Sequence, residues 1–122
     1  MARRRAKIFS ERELEVMNAV WKLGKASVRE VREALGGNEA GAYTSVATML
    51  KFLEKKSALR HEKQGRTYLY IPTKTKGKEQ INAVKFILDA YFDGDAPAMM
   101  EVVLNTAKLS PDDRSRIVKK LK

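Results

Sequence analysis

The chain has 122 residues, 43% of them hydrophobic, which suits one compact domain or a small domain with an appendage and is too little for two independent cores. It contains no cysteine, excluding a disulfide framework and a thiolate metal site, and its formal net charge of +10 points to an anionic partner, nucleic acid first. A generally basic soluble protein is the plain alternative for that charge. No run of about eighteen apolar residues is present, and the basic start Arg3-Arg4-Arg5 leads into Ser10-Glu11-Arg12-Glu13 where a signal peptide needs an apolar stretch. A cytoplasmic location without a membrane partner is therefore expected. Residues 1–72 carry 15 basic and 8 acidic side chains, net +7, against 10 and 7, net +3, in the remainder. The anion-binding surface should lie mainly in the N-terminal part.

The segment Met1–Phe9 is read as a basic arm, with Arg3, Arg4, Arg5 and Lys7 and no acid. Such an arm suits a phosphate backbone or a minor groove, ordering on binding, and equally suits a solvated tail. The first helix should begin after Ser10, which forms a capping box with Glu13, and should carry Leu14, Met17 and Trp21 on one face with Val20 beside them. The same signal recurs at Ser27 and Glu30, opening a short helix with Val28, Val31 and Leu35 that Gly36-Gly37 ends. Beyond the flexible stretch Gly36–Gly41, a third helix over Tyr43–Lys56 places Val46, Met49, Leu50 and Leu53 on one face. Leu59–Lys63 and Thr67–Ile71 follow as two short strands turned at Gly65, with Tyr68 and Tyr70 on one face of the second.

Three helices followed by a basic hairpin is the order of a winged helix-turn-helix domain, expected over residues 10–73. A helix that enters the major groove needs an apolar face to anchor it and an outer face of short polar and basic side chains. The third helix offers Tyr43, Thr44, Ser45, Ala47, Thr48, Lys51 and Lys55 outside. Hydroxyls can bond phosphates or base edges, Ala47 can touch a thymine methyl, and the lysines suit phosphates. The hairpin tip adds Lys63 and Arg66 as a second probe of a phosphate or the minor groove. An ordinary solvated helix and a generic polar turn are the plain readings of the same residues.

Residues 74–122 start with a polar basic linker and continue as three helices. The first carries Ile81, Val84, Ile87, Leu88 and Tyr91 on a broad apolar face; the second, capped by Asp95 with Pro97 in its first turn, should bury Met99, Met100, Val103 and Leu104. The third starts at Ser110-Pro111-Asp112-Asp113 with Ile117 and Leu121 facing in, the two aspartates serving as caps rather than catalytic acids. Such short helices hold more apolar surface than they can bury among themselves and need a partner, or else close as a three-helix lobe within one chain. No nucleophile, base and metal constellation is visible, so no enzyme, catalytic residue, metal or cofactor is expected. His61, the one histidine, stands on a strand without a second histidine or a cysteine, and Asp93-Gly94-Asp95 lacks the other ligands of a calcium loop.

The sequence resembles the BlaI/MecI/CopY, or penicillinase repressor-like, family of winged-helix transcriptional repressors. The resemblance is carried by Glu15-Val16-Met17, Val20-Trp21, Val28-Arg29-Glu30-Val31, Tyr43–Leu50, Leu53-Glu54-Lys55-Lys56 and Gly65–Pro72 in order, and it extends to Tyr91–Asp95 and Leu109-Ser110. Three positions depart from it. The family usually has a basic residue before the equivalent of Leu53 and Lys-Gly after the helix, where this chain has Phe52 and Ser57, and Ala42 offers no capping oxygen where serine is common. Phe52 is therefore left out of the DNA-contact set, and Thr44 or a backbone shift is left to compensate at the helix entry.

The resemblance implies a mainly α fold with a small β-hairpin: a winged helix-turn-helix domain followed by a C-terminal helical dimerisation domain whose helices interlock with a second chain. It implies double-stranded DNA with a palindromic operator as the target. The copper-responsive branch senses metal through cysteines, which are absent here. The β-lactam-responsive branch is cut by a regulatory protease at an Asn-Phe bond in the dimerisation region, where this chain has Asn105-Thr106, an altered candidate site. Two other classes stay open: a winged-helix protein-interaction module, and a DNA-binding activator or architectural protein.

Overall fold

The computed structural model describes residues 8–122, and the arm residues Arg3, Arg4, Arg5 and Lys7 lie outside them. Six helices and one hairpin follow in order: α1 (Glu11–Leu23), α2 (Val28–Ala34), a short 3₁₀ turn (Gly37–Ala40), α3 (Tyr43–Lys55), β1 (Leu59–Gln64), β2 (Thr67–Pro72), α4 (Lys76–Phe92), α5 (Ala96–Thr106) and α6 (Pro111–Leu121). Two compact units divide at Ala83 and Val84, within α4. The architecture is mainly helical with a β-hairpin, a winged helix-turn-helix followed by C-terminal helices.

In the first unit the helix starts are set locally. The Ser10 side chain accepts from the Glu13 N–H at 3.2 Å while the Glu13 carboxylate accepts from the Ser10 N–H at 2.8 Å, and Ser27 with Glu30 repeats the device. The strands pair antiparallel with His61 opposite Tyr70 and Lys63 opposite Tyr68. Ala26, in the α1–α2 connection, bridges the other edge of β2, exchanging both backbone hydrogen bonds with Tyr70 at 2.7 and 3.0 Å. Tyr70 is thereby buried between two backbone neighbours. Gly65 turns the hairpin at φ +65°, a left-handed conformation that favours glycine.

One apolar core closes this unit: Val16, Met17, Ala19 and Val20 from α1, Ala26, Val31 from α2, Ala40, Val46, Leu50 and Leu53 from α3, then Ala58, Leu59 and Tyr70. Phe9, Trp21, Val28, Leu35 and Met49 pack on its margin. Leu14, expected on the buried face of α1, is instead exposed. Both 14-17-21 and 16-17-20 are helical spacings, and the second stripe is the one that enters the core, with Val16 and Ala19 buried beside Met17 and Val20.

The C-terminal helices are well delimited. Asp93 and Gly94 take positive φ after α4, Gly94 N–H returning to Leu88 O at 3.0 Å, and Asp95 caps α5 through Ala98 N–H at 3.0 Å. Ser110 and Asp113 form the capping box of α6. Among the described residues of α4, α5 and α6, none is buried. Met100, Val103 and Leu104, expected inside, are exposed in the single chain and Met99 is only half-buried; Leu121, expected to face in, is 80% exposed. The three helices, of 17, 11 and 11 residues, enclose no interior of their own here. No helix among the described residues is long and apolar enough to cross a membrane.

Candidate nucleic-acid interface

The third helix is anchored from inside and free outside. Val46, Leu50 and Leu53, three and four residues apart, are fully buried, whereas Tyr43, Thr44, Ser45, Thr48, Lys51 and Lys55 are exposed and Ala47 is half-buried. At about 100° per residue, Thr44, Thr48, Lys51 and Lys55 form one ridge opposite the buried stripe. The ridge is hydroxylated at its N-terminal half and cationic at its C-terminal half. Tyr43, Ala47 and Glu54 flank it on one side, Ser45 and Phe52 on the other.

The Glu54 flank meets the wing. His61 Nδ1 donates to Glu54 Oε2 at 2.6 Å, and the imidazole stacks on Tyr68 with centroids 4.2 Å apart and planes 7° from parallel. Lys63 Nζ stands 5.9 Å from the Tyr68 ring on the same hairpin. His61 is thus a structural joint between helix and hairpin. At the tip, Lys63, Gln64, Gly65 and Arg66 are all exposed.

On the Phe52 flank, Lys56 is committed to the protein. Its Nζ donates to Glu13 Oε2 at 2.9 Å and lies 5.3 Å from the Phe52 ring and 6.0 Å from the Phe9 ring. Burial pushes the Glu13 carboxyl up, but the hydrogen bonds from Lys56 and Ser10 together with the Lys56 charge outweigh it and hold the pKa below its ordinary value. Phe52 itself is 46% exposed at the edge of the outer face.

Two arginines fix the entry to the third helix. Arg12 Nη2 donates to Ala40 O at 2.7 Å and Arg32 Nε to Gly41 O at 2.8 Å, the two carbonyls immediately before Ala42. No side chain caps α3; Thr44 does not compensate for Ala42. The sequence did not reveal the pairings of Arg12 with Ala40, Arg32 with Gly41, Glu13 with Lys56 and Glu54 with His61, which lie 28, 9, 43 and 7 residues apart. Acid–base complementarity was the one signal available for the last two.

The remaining expected residues fall in the C-terminal helices. Ile81, Val84, Tyr91, Met100, Val103, Leu104 and Leu121 are exposed; Ile87, Leu88 and Ile117 are half-buried. Asn105 and Thr106 close α5, exposed, with Thr106 Oγ1 donating to Val102 O at 2.7 Å. Among the described residues, no group of three or more acidic or histidine side chains is placed to hold a metal.

The sequence profile of the penicillinase repressor family matches residues 9–122. The chain belongs to the penicillinase repressor family. A penicillinase repressor from Bacillus licheniformis is 30% identical over 106 residues, 86% of this chain and 82% of that one. The solution structure of the DNA-binding domain of the repressor BlaI is 34% identical, covering 61% of this chain and 90% of that one with a TM-score of 0.51. At the level of fold alone, the transcriptional regulator Tm0710 from Thermotoga maritima is similar, with 15% identity, a TM-score of 0.53 and coverage of 92% and 70%. Membership of the penicillinase repressor family makes this chain a winged-helix transcriptional repressor, not an enzyme, and the match runs through both the winged helix and the C-terminal helices.

Proposed function

We propose that the protein is a homodimeric repressor that binds a palindromic operator in double-stranded DNA from the cytoplasm. The observation that carries the reading is the exposed ridge Thr44, Thr48, Lys51 and Lys55 on a helix whose opposite face is fully buried, with an exposed Lys63–Arg66 tip on the hairpin that His61 and Glu54 join to that helix. Lys51, Lys55, Lys63 and Arg66 hold phosphates, while Tyr43, Thr44, Ser45, Ala47 and Thr48 supply sequence preference. Arg3, Arg4 and Arg5 extend the cationic surface along the backbone. Residues 10–73 form the DNA-binding domain and residues 74–122 the dimerisation domain.

Dimerisation follows from the unburied apolar side chains of α4, α5 and α6: Ile81, Val84, Ile87, Leu88, Tyr91, Met100, Val103, Leu104, Ile117 and Leu121 cover each other's counterparts in a second copy. A two-fold then relates two recognition helices, suited to half-sites about one helical turn apart, roughly 34 Å. Release by a regulatory protease at Asn105-Thr106 is the matching induction step, and it requires the last turn of α5 to unwind.

Selection of bound duplexes from a random pool, followed by titration at two salt concentrations, tests the reading. The expected result is a two-fold symmetric consensus and a log–log salt slope of about −0.9 per phosphate neutralised. Absence of both a consensus and salt dependence would leave a protein-interaction module as the better account. For release, an intact chain after induction of a cognate protease excludes cleavage at Asn105-Thr106.

A further inference from the structure

The connection from α2 to α3 is intrinsically loose. Gly36, Gly37 and Gly41 all take positive φ, at +108°, +64° and +99°, and three glycines in six residues give the unbound loop many alternatives. The helix it delivers has no side-chain cap at Ala42. In place of local capping, two guanidinium groups reach in from outside the turn. Arg12, held at Glu15 Oε1 by a 2.9 Å ion pair, bonds Ala40 O at 2.7 Å. Arg32, on the last turn of α2, bonds Gly41 O at 2.8 Å through Nε and Asn38 Oδ1 at 3.4 Å through Nη2.

The geometry points to Arg12 and Arg32 as positioning residues for DNA recognition: they lock the turn that sets the entry of α3, and they act through Thr44, Ser45 and Thr48 rather than by touching phosphate. The charge of these arginines invites the opposite reading, since any arginine near a recognition helix counts as a backbone contact by composition. Their donor geometry decides otherwise. Arg32 uses two different nitrogens of its planar fork on two acceptors of the turn, an arrangement that a lysine ammonium on a flexible stem does not reproduce. Both carbonyls lie within two residues of Ala42, so a shift of either is passed directly to the first turn of α3, where the hydroxyl side chains stand.

This inference rests on the DNA-binding reading, and its test separates the two. Wild type, Arg32→Lys and Arg32→Gln are titrated with a selected duplex and a random duplex over a range of salt. Positioning predicts that both variants lose about 10-fold in the ratio of selected to random affinity while the salt slope stays at the wild-type value. Adding Ala42→Ser to Arg32→Lys, which gives α3 a local cap, recovers part of that ratio. A phosphate contact predicts a different pattern: Arg32→Lys keeps the ratio, and Arg32→Gln lowers the slope by about 0.9 with the ratio unchanged. That pattern overturns the inference. Amide hydrogen exchange of Ser45 and Val46, whose N–H groups bond Ala42 O, reads the clamp in the free protein without DNA, with about 10-fold faster exchange expected in Arg32→Lys. Unchanged exchange overturns the clamp even if the wild type finds its operator, whereas a wild type with no selected sequence but faster exchange in the variant overturns only the DNA-binding reading.

Discussion

The two units of this chain spend similar apolar residues in opposite ways. Up to Ala83, α1, α2, α3 and the hairpin close around thirteen buried apolar side chains, led by Met17, Leu50, Leu53, Leu59 and Tyr70. From Val84 onward no described residue is buried, and Tyr91 and Leu121 are 76% and 80% exposed. The difference is one of geometry rather than composition. Helices crossed by a hairpin enclose a volume, and short helices without a covering layer do not. The first unit therefore has a core of its own, whereas the apolar side chains of the second are left for the proposed dimerisation to cover.

Loss of association is the sharpest way to break that contrast. Leu104→Asp places a charge on the apolar face of α5 and should reduce operator affinity by about 10²–10⁴-fold, the gain that bivalent engagement ordinarily brings. Sedimentation should then show monomer while the winged helix keeps its amide protection; a variant that stays dimeric at full affinity sinks the assignment. Leu50→Ala acts on the other unit. It should cost about 2–5 kcal/mol in urea unfolding, with the loss independent of protein concentration. If the loss vanishes at high concentration, the first unit is not self-contained.

Thr48→Ala and Lys51→Gln sharpen the contrast within the ridge itself. The first should cost roughly 1–3 kcal/mol at particular base pairs. The second should weaken every duplex alike and reduce the salt slope by about 0.9. A uniform loss for Thr48→Ala would make it a backbone contact. The smallest effect is expected at Glu13. Its pKa is lowered in the folded chain, so its contribution is fully present above its ordinary value of 4.5 and is lost as pH falls through the lower folded value. Lys56→Met removes the ion pair between a partly exposed lysine and a buried carboxylate that keeps its hydrogen bond from Ser10 N–H, at a cost of about 1 kcal/mol. Acid unfolding of that variant should depend less steeply on pH than the wild type below about pH 4.5; parallel curves would show that the pair adds nothing.

Much of the fold was legible because its signals are local. Ser10, Ser27, Asp95 and Ser110 each announce a helix through a partner three residues on, and the buried stripe Val46, Leu50 and Leu53 follows from the period of one helix. The outer face of α3 was legible as the complement of that stripe. What periodicity cannot rank is two stripes on one helix, hence the misplacement of Leu14. Nor can it say what covers an apolar face: Met100, Val103 and Leu104, read as buried side chains on helices that need a partner, are exposed in the single chain. The arginine clamp was hidden for another reason. A guanidinium bonded to Ala40 O and one facing a phosphate look alike in sequence, and only the fold brings position 12 to position 40.

The joint between α3 and the wing has a consequence for where such a protein can vary. His61 and Glu54 fasten the hairpin at its base, and His61 stacks on Tyr68, whereas Gln64, Gly65 and Arg66 beyond them are exposed. Substitutions at Gln64 and Arg66 therefore leave the fastening untouched, and under the proposed phosphate role of the tip the strength of DNA binding can drift there without a penalty in foldedness, whereas Gly65 is held by its positive φ. The base has no such freedom. A lineage of duplicated copies could diverge in how tightly they bind by editing a few codons at the end of the hairpin, with the frame that aims it held constant.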